Sequence, residues 1–122
     1  MDTKQVAQRL VDLCREGKNA EAHATLYSPD IVSIEAYAPP GTSAECKGLE
    51  AIRAKGKWWR ENHEIHGAAA KGPYMFGDKF AVMFNFDITP KTGPGAGKRT
   101  MMEEVAVYTV KNGKIVHEEF MY

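Results

Sequence analysis

The helical spacing of the apolar residues ends near residue 63 and does not return, and this change limits the folds that are open to the chain. Before that point, the apolar residues of 2–17 and 49–63 recur at the three-to-four spacing of a helix. After it, the segments 79–89, 99–110 and 114–122 alternate residue by residue, as strands do. Helices that precede a run of strands predict an α+β fold with a mixed, mostly antiparallel sheet.

The first part of the chain carries recognisable start and stop signals. Asp2 and Gln5 have the spacing of a capping box, which predicts that the first helix begins there. A second, short helix is expected from Asn19, and Ser28-Pro29 should end it because the residue before proline avoids helical geometry. Residues 30–37 then alternate as a strand that is apolar on both faces.

The second part of the chain is predicted to be extended. Residues 64–75 are interrupted by Gly67 and by Gly72-Pro73, which predicts a bulged or bent strand. The glycine-rich segment 90–97 (PKTGPGAG) is expected to be a hairpin loop, with a lid over a pocket as the alternative. Its spacing does not match a phosphate-binding loop.

Asn112-Gly113 predicts a hairpin with a two-residue type I′ turn. Continued without interruption, this turn pairs Tyr108 with His117 and places Glu118 on the opposite face. A three-residue turn with a bulge would shift the pairing by one residue. In the uninterrupted register, by contrast, one face of the hairpin holds Glu104, Tyr108, His117 and Glu119.

Length and charge exclude several kinds of partner. The 122 residues are expected to form a single domain, 1–122. Sixteen basic residues balance sixteen acidic ones, so the chain lacks the basic excess that binds nucleic acid. No apolar run is long enough for a membrane span or a signal peptide, and a cytoplasmic location is therefore expected.

Cysteine and histidine give no sign of a metal site. Cys14 and Cys46 are far apart in sequence, and reduced thiols are expected for a cytoplasmic chain, with one disulfide as the alternative. The four histidines do not have zinc-ligand spacing, so neither a metal nor a cofactor is predicted.

Two segments carry a resemblance to a known family: CKGLEAIRAKGKWW (46–59) and the C-terminal hairpin EEVAVYTVKNGKIVHEEFMY (103–122). Together with the order of helices and strands, they resemble the SnoaL-like group of the nuclear transport factor 2-like superfamily over nearly the whole chain. The resemblance implies a strongly curved, cone-shaped sheet around the N-terminal and central helices, with an open-ended apolar pocket. It also implies a homodimer through the outer sheet face, which would cover strands that are apolar on both sides.

The superfamily includes ketosteroid isomerases, polyketide cyclases, dehydratases, epoxide hydrolases and members that only bind. The residues of the isomerase mechanism are not carried over. Glu35 is the only acid near the end of the first strand, Leu10 stands where the first helix would hold a phenol, and no acid lies between Val105 and Val110. A cyclase-type mechanism needs only one carboxylate in an apolar pocket.

The sequence therefore predicts a protein that binds a small apolar organic molecule, and two functions stay open. One is an acid–base enzyme of the isomerase, cyclase or dehydratase type; the other is a non-catalytic binding or interaction module. The candidate catalytic residues are Glu35, Asp87, Glu104, Tyr108 and His117. The candidate pocket-lining residues are Trp58, His66, Phe84, Phe86 and Glu119. For each of them the alternative is an ordinary structural role: a solvated or ion-paired carboxylate, or a packed ring.

Overall fold

Three helices and six strands follow one another in a computed structural model that describes all residues, 1–122. The predicted α+β class is confirmed. In chain order, the elements are α1 (Thr3–Arg15), α2 (Asn19–Leu26), β1 (Tyr27–Ile34), β2 (Glu45–Lys47), α3 (Leu49–Asn62), β3 (His63–Phe76), β4 (Lys79–Pro90), β5 (Thr100–Lys111) and β6 (Lys114–Met121).

The six strands form one open, mixed sheet in the order β2-β1-β6-β5-β4-β3. Only the β1–β6 pair is parallel, and the other four pairs are antiparallel. The chain thus places its first long strand beside its last. This arrangement brings residues that are some 85 positions apart in sequence into contact, as in the hydrogen bond between Ser33 and Glu118.

The helices cover one face of this sheet. The capping box at the start of α1 is confirmed, since the Asp2 side chain accepts from the Gln5 backbone and the Gln5 side chain accepts from the Asp2 backbone. The buried stripe of α1, which includes Val6, Leu10 and Leu13, contributes to a single apolar core of eighteen residues. No helix is long and apolar enough to cross a membrane.

Strand β1 begins three residues earlier than the sequence predicts, at Tyr27 rather than at residue 30. Ser28-Pro29 therefore lies inside the strand. The pairing of β1 with β6 is interrupted between Tyr27 and Val32, so the missing N–H of Pro29 costs no hydrogen bond of the ladder. The short strand β2 lies where the sequence gives no alternation.

The C-terminal hairpin follows the predicted turn but not the predicted register. Asn112 and Gly113 both have positive φ, at 52° and 75°, as a type I′ turn requires. Val110 pairs with Ile115, but the ladder then shifts by one residue, and Thr109 pairs with His117. The predicted Tyr108–His117 pair is therefore wrong.

The physical reason for the shift is a bulge at Val116. Ile115 is completely buried, and Phe120 packs against the same core, yet the two are an odd number of positions apart along the strand. Because side chains alternate along a strand, both can face inward only if one residue is inserted without a partner. After the bulge, the side chains of β6 lie on the opposite faces of the sheet from those predicted, so Glu118 and Phe120 face inward.

Strand β3 has the two irregularities that its glycines predict. Its pairing with β4 shifts between Ile65 and Gly67 and again between Lys71 and Tyr74, so the expectation of a bulged strand is confirmed. The bends keep Ala68 and Ala70 opposite Phe86 and Phe84. Their small side chains leave open space above the sheet.

Candidate active-site cavity

A cavity of about 930 Å³ lies between the helices and the inner face of the sheet. Most of its wall is apolar, with contributions from Leu10 and Ile52 on the helices and from Phe84, Phe86 and Phe120 on the strands. Trp58 also lines the cavity while 57% of its surface is exposed, so it lies where the cavity opens to solvent. The wall carries a few polar groups, and these decide what the cavity can do.

The strand register arranges the inner face of the sheet in rows. Phe84 lies beside Glu104, and Phe80 lies beside Tyr108, which in turn lies beside Glu118. The row between them holds Ala106 next to Phe120. Two carboxylates and a phenol therefore point to the same side of the sheet as the core phenylalanines.

Glu104 has no hydrogen-bond or ion-pair partner, although it is largely buried. Every fully buried polar side-chain atom of the protein has a hydrogen-bond partner. The unpaired oxygens of Glu104 are therefore not fully buried, and they are open to the cavity that Glu104 lines. Burial, reinforced by the charge of Glu35, raises the pKa of Glu104 from its ordinary value of 4.5 to about 7, against the opposing effect of Lys55. This carboxyl group can therefore both take and give a proton near neutral pH.

Glu118 is the most deeply buried acid, with 2% of its surface exposed. The Tyr27 hydroxyl donates a hydrogen bond to its Oε2, and the Ser33 hydroxyl donates to its Oε1 at 2.8 Å. Burial raises the pKa of Glu118, while these two hydrogen bonds act in the opposite direction. Both of its oxygens are occupied, so Glu118 is held in place in a way that Glu104 is not.

Lys55 links Glu118, through the Ser33 hydroxyl, to a second acid, Glu35. Its Nζ donates to the Ser33 hydroxyl at 2.7 Å and to Glu35 at 2.8 Å, and it lies 5.1 Å from the centre of the Phe120 ring. The Tyr122 hydroxyl donates to the other oxygen of Glu35 at 3.1 Å. A continuous chain of hydrogen bonds thus runs from Tyr27 to Tyr122, and Lys55 retains one N–H that neither partner uses.

The two phenols beside Glu118 stay protonated. Burial and the neighbouring charge of Glu118 raise the pKa values of Tyr27 and Tyr108 well above 10. Tyr108 also stacks on Phe80, with ring centres 4.8 Å apart. Each phenol therefore lines the cavity as a neutral group with a hydroxyl.

Neighbouring aromatic rings form one continuous wall from α3 to Glu104, which we call the aromatic wall (His63, Trp59, Phe86 and Phe84). The His63 and Trp59 ring centres are 3.8 Å apart, Trp59 and Phe86 are 5.9 Å apart, and Phe86 and Phe84 are 6.0 Å apart. Trp59 is half-buried and belongs to this wall. Since Phe84 is the strand partner of Glu104, the wall ends at the free carboxylate.

Six of the ten predicted site residues lie on the cavity wall. These are Glu35, Glu104, Tyr108, Trp58, Phe84 and Phe86.

The other four do not line it. Asp87 is held by two hydrogen bonds from Arg99, at 2.9 and 2.7 Å, and the guanidinium lowers the pKa of that carboxyl. His66 is exposed and hydrogen-bonded to Thr89. His117 and Glu119 face away from the cavity because the bulge reverses β6.

Sequence reasoning missed Tyr27, Lys55 and Glu118. Tyr27 directly precedes Ser28-Pro29, the predicted end of the second helix, and Lys55 is one of several bases on α3. Only Glu118 has a signal in the sequence: the odd separation of Ile115 and Phe120 indicates a phase change between them. No group of three or more histidine, cysteine or acidic side chains is arranged to hold a metal ion.

Known proteins share both the sequence pattern and the fold. The SnoaL-like domain matches residues 1–122. A crystal structure from Mesorhizobium loti, provisionally named as a SnoaL-like polyketide cyclase with carbohydrate phosphatase in brackets, is 46% identical, with both chains covered completely and a TM-score of 0.92. No curated protein matches the chain.

More distant structures share the fold alone. A protein from Bacillus subtilis, provisionally named an isomerase, is 18% identical over 98% of this chain and 88% of its own, with a TM-score of 0.74. A ketosteroid isomerase-like fold from Catenulispora acidiphila, solved in complex with trimethylamine, is 16% identical over 96% and 84%, with a TM-score of 0.71. Because the family match spans its whole length, this chain belongs to the SnoaL-like domain family.

Proposed function

We propose that this protein is an acid–base enzyme that moves a proton on a small, apolar carbonyl compound held in the cavity. The observation that carries the proposal is Glu104, a carboxyl group in an apolar wall with both oxygens free and a pKa raised to about 7. Isomerisation, cyclisation and dehydration all need such a group. The provisional cyclase and isomerase names of related structures support the same class of reaction.

In its ionised form, Glu104 takes a proton from the carbon next to the carbonyl. The electrons of that C–H bond move onto the carbonyl oxygen, and the resulting enolate needs a donor. Lys55 suits this role because one of its N–H groups is unused. Its ammonium group also lies over the Phe120 ring, and Phe120 is in the row of the sheet next to the row of Glu104. Glu104 then returns the proton to another atom of the same compound, and this completes an isomerisation.

The elementary step can be tested without knowing the natural substrate. The probe is 2-tetralone, an apolar ketone whose α-hydrogens exchange with deuterium in heavy water, and exchange is followed by NMR. We expect wild-type protein to accelerate exchange above the buffer rate, with a pH profile that rises through about pH 7 as Glu104 ionises.

Two variants separate catalysis from binding. Glu104→Gln should lower the protein-catalysed exchange rate at least about tenfold, as expected for loss of a general base. Glu119→Gln, which changes an acid outside the cavity, should leave the rate as it is. If 2-tetralone binds but wild type and Glu104→Gln exchange it equally, the enzyme proposal is wrong and the non-catalytic binding module is favoured.

We also propose that two copies associate through the outer face of the sheet. Met83, Val105 and Met121 form a row across β4, β5 and β6 on the side away from the cavity. Met121 is 48% exposed in the single chain. An apolar row on an open sheet face supports association, because a second copy would remove it from water.

A further inference from the structure

We propose that the compound bound in this cavity is an aromatic acid whose carboxylate is held by Arg60 and His23 on the helical side. This inference rests on the proposed function and deepens it, because it names the substrate class of the same cavity. Four observations support it: the free guanidinium of Arg60, the gap at Gly56, the state of His23 and the course of the aromatic wall.

Arg60 lines the cavity, and no side chain neutralises it. It forms no ion pair and no hydrogen bond, whereas Lys55, the other cavity cation, is held by Glu35. The acid next to it in sequence, Glu61, is paired with Lys57 instead. A guanidinium offers paired N–H donors in one plane, and this geometry matches the two oxygens of a carboxylate.

Gly56 leaves a gap between Arg60 and His23. A Cβ at this position would lie 3.3 Å from Nη1 of Arg60 and 3.9 Å from Cε1 of His23. Glycine within a helix costs about 1 kcal/mol relative to alanine, and the backbone of Gly56 does not require it, because its φ is not positive. The missing side chain therefore keeps the Arg60 guanidinium and the His23 ring within reach of one small anion.

His23 lies in a positive environment. Its ring meets Tyr27 edge-on at 4.8 Å, and it lines the cavity without a hydrogen-bond partner. Burial, together with the charges of Arg53, Arg60 and Lys55, lowers its pKa from 6.5 to about 4. The neutral ring still offers one N–H, and a bound carboxylate would offset the cations that surround it.

The aromatic wall connects this anion position to the free carboxyl group. Trp59 adjoins Arg60 on α3, and the row of rings leads from Trp59 through Phe86 to Phe84, the strand partner of Glu104. Flat aromatic rings pack well against such a surface. A ligand anchored at Arg60 by its carboxylate would lay its ring system along this wall, with its far end at Glu104.

The test compares two probes of the same shape that differ in charge, 2-naphthoate and 2-naphthamide, by isothermal titration calorimetry at pH 8. We expect wild type to bind the acid at least about tenfold more tightly than the amide, which corresponds to about 1.4 kcal/mol. Arg60→Gln should abolish this preference without changing affinity for the amide. Arg53→Gln is the matched control, because Arg53 is on the same helix but not on the cavity wall, and it should keep the preference.

A second measurement follows His23 directly. Its pKa, measured by NMR, should rise when 2-naphthoate binds and stay unchanged with 2-naphthamide. The proposal is overturned if both probes bind wild type equally, if neither binds at millimolar concentration, if Arg60→Gln weakens both alike, or if Arg53→Gln has the same effect as Arg60→Gln. Glu104→Gln should keep the preference for the acid. If wild type and Glu104→Gln exchange 2-tetralone equally while this preference is intact, only the proposed catalytic function is rejected.

Discussion

Tyr108 lies directly opposite Glu118 across β5 and β6, where an uninterrupted hairpin would place His117. This one-residue difference decides which acid enters the cavity. Glu118 faces Tyr27 and Ser33 and is almost completely buried, while Glu119 is exposed on the other side. Two adjacent residues of the same type thus have opposite environments.

Replacing Glu118 by alanine should destabilise the fold strongly, whereas Glu119→Ala should have little effect. The first change leaves the hydroxyls of Tyr27 and Ser33 without their acceptor in a buried site, which costs about 3 kcal/mol. The second removes an exposed side chain and should change the free energy of unfolding by less than about 0.5 kcal/mol. Urea unfolding of both variants measures the difference, and the opposite order would contradict the bulged register.

The raised pKa of Glu104 predicts a specific pH dependence of stability. Because the folded protein holds this proton more tightly than the unfolded chain, the stabilising effect is complete below pH 4.5 and is lost as the pH rises to about 7. Relative to Glu104→Gln, wild type should lose up to about 3 kcal/mol across this range. Urea unfolding of the two proteins at pH 4.5, 6 and 8 gives this value.

The comparison with Glu104→Gln is needed because Glu118 also has a raised pKa and contributes to the profile of both proteins. Parallel stability curves for the two proteins would show that Glu104 titrates normally.

The two tryptophans of α3 should respond differently to truncation. Trp59 stacks on His63 and meets Phe86 at a tilt, and Trp59→Ala should cost about 3 kcal/mol of unfolding free energy. Trp58 is 57% exposed, and Trp58→Ala should cost less than about 1 kcal/mol. Thermal unfolding ranks the two variants. Because both residues line the cavity, both variants should bind 2-naphthamide more weakly, and a larger stability loss for Trp58→Ala would contradict these environments.

Association through the outer sheet face predicts a dimer at micromolar concentration in analytical ultracentrifugation. Met83→Glu places a charge in the row formed with Val105 and Met121, and should give a monomer. Lys4→Gln changes the net charge by the same amount on the exposed side of α1 and should stay dimeric. Circular dichroism verifies that both variants are folded. A monomeric wild type would reject the proposed interface.

Local signals predicted those parts of the fold that depend on neighbouring residues. The capping box of Asp2, the helix from Leu49 and the Asn112-Gly113 turn each follow from a short stretch of sequence with its own geometry. The position of Glu118 depends on how β6 packs against the core, and this is a tertiary effect. The unpaired Val116 appears only when Ile115 and Phe120 are both required to face inward.

The site was predictable where a residue has one role and was missed where it depends on partners. Glu104 and Phe84 follow from alternation along strands. Lys55 could not be distinguished from the other bases of α3, since its contacts with Ser33 and Glu35 arise only when β1 lies beside β6 and below the helix. Tyr27 depends on the same parallel pair.

Trp58 and Trp59 are the only tryptophans of the chain, and both line the cavity. All of the intrinsic tryptophan fluorescence of the protein therefore originates beside the ligand. A compound that enters along the aromatic wall would displace water from Trp58 and contact the ring of Trp59, changing both the intensity and the wavelength of the emission. The protein thus carries a built-in optical reporter, with which a collection of unlabelled metabolites can be screened for its natural ligand.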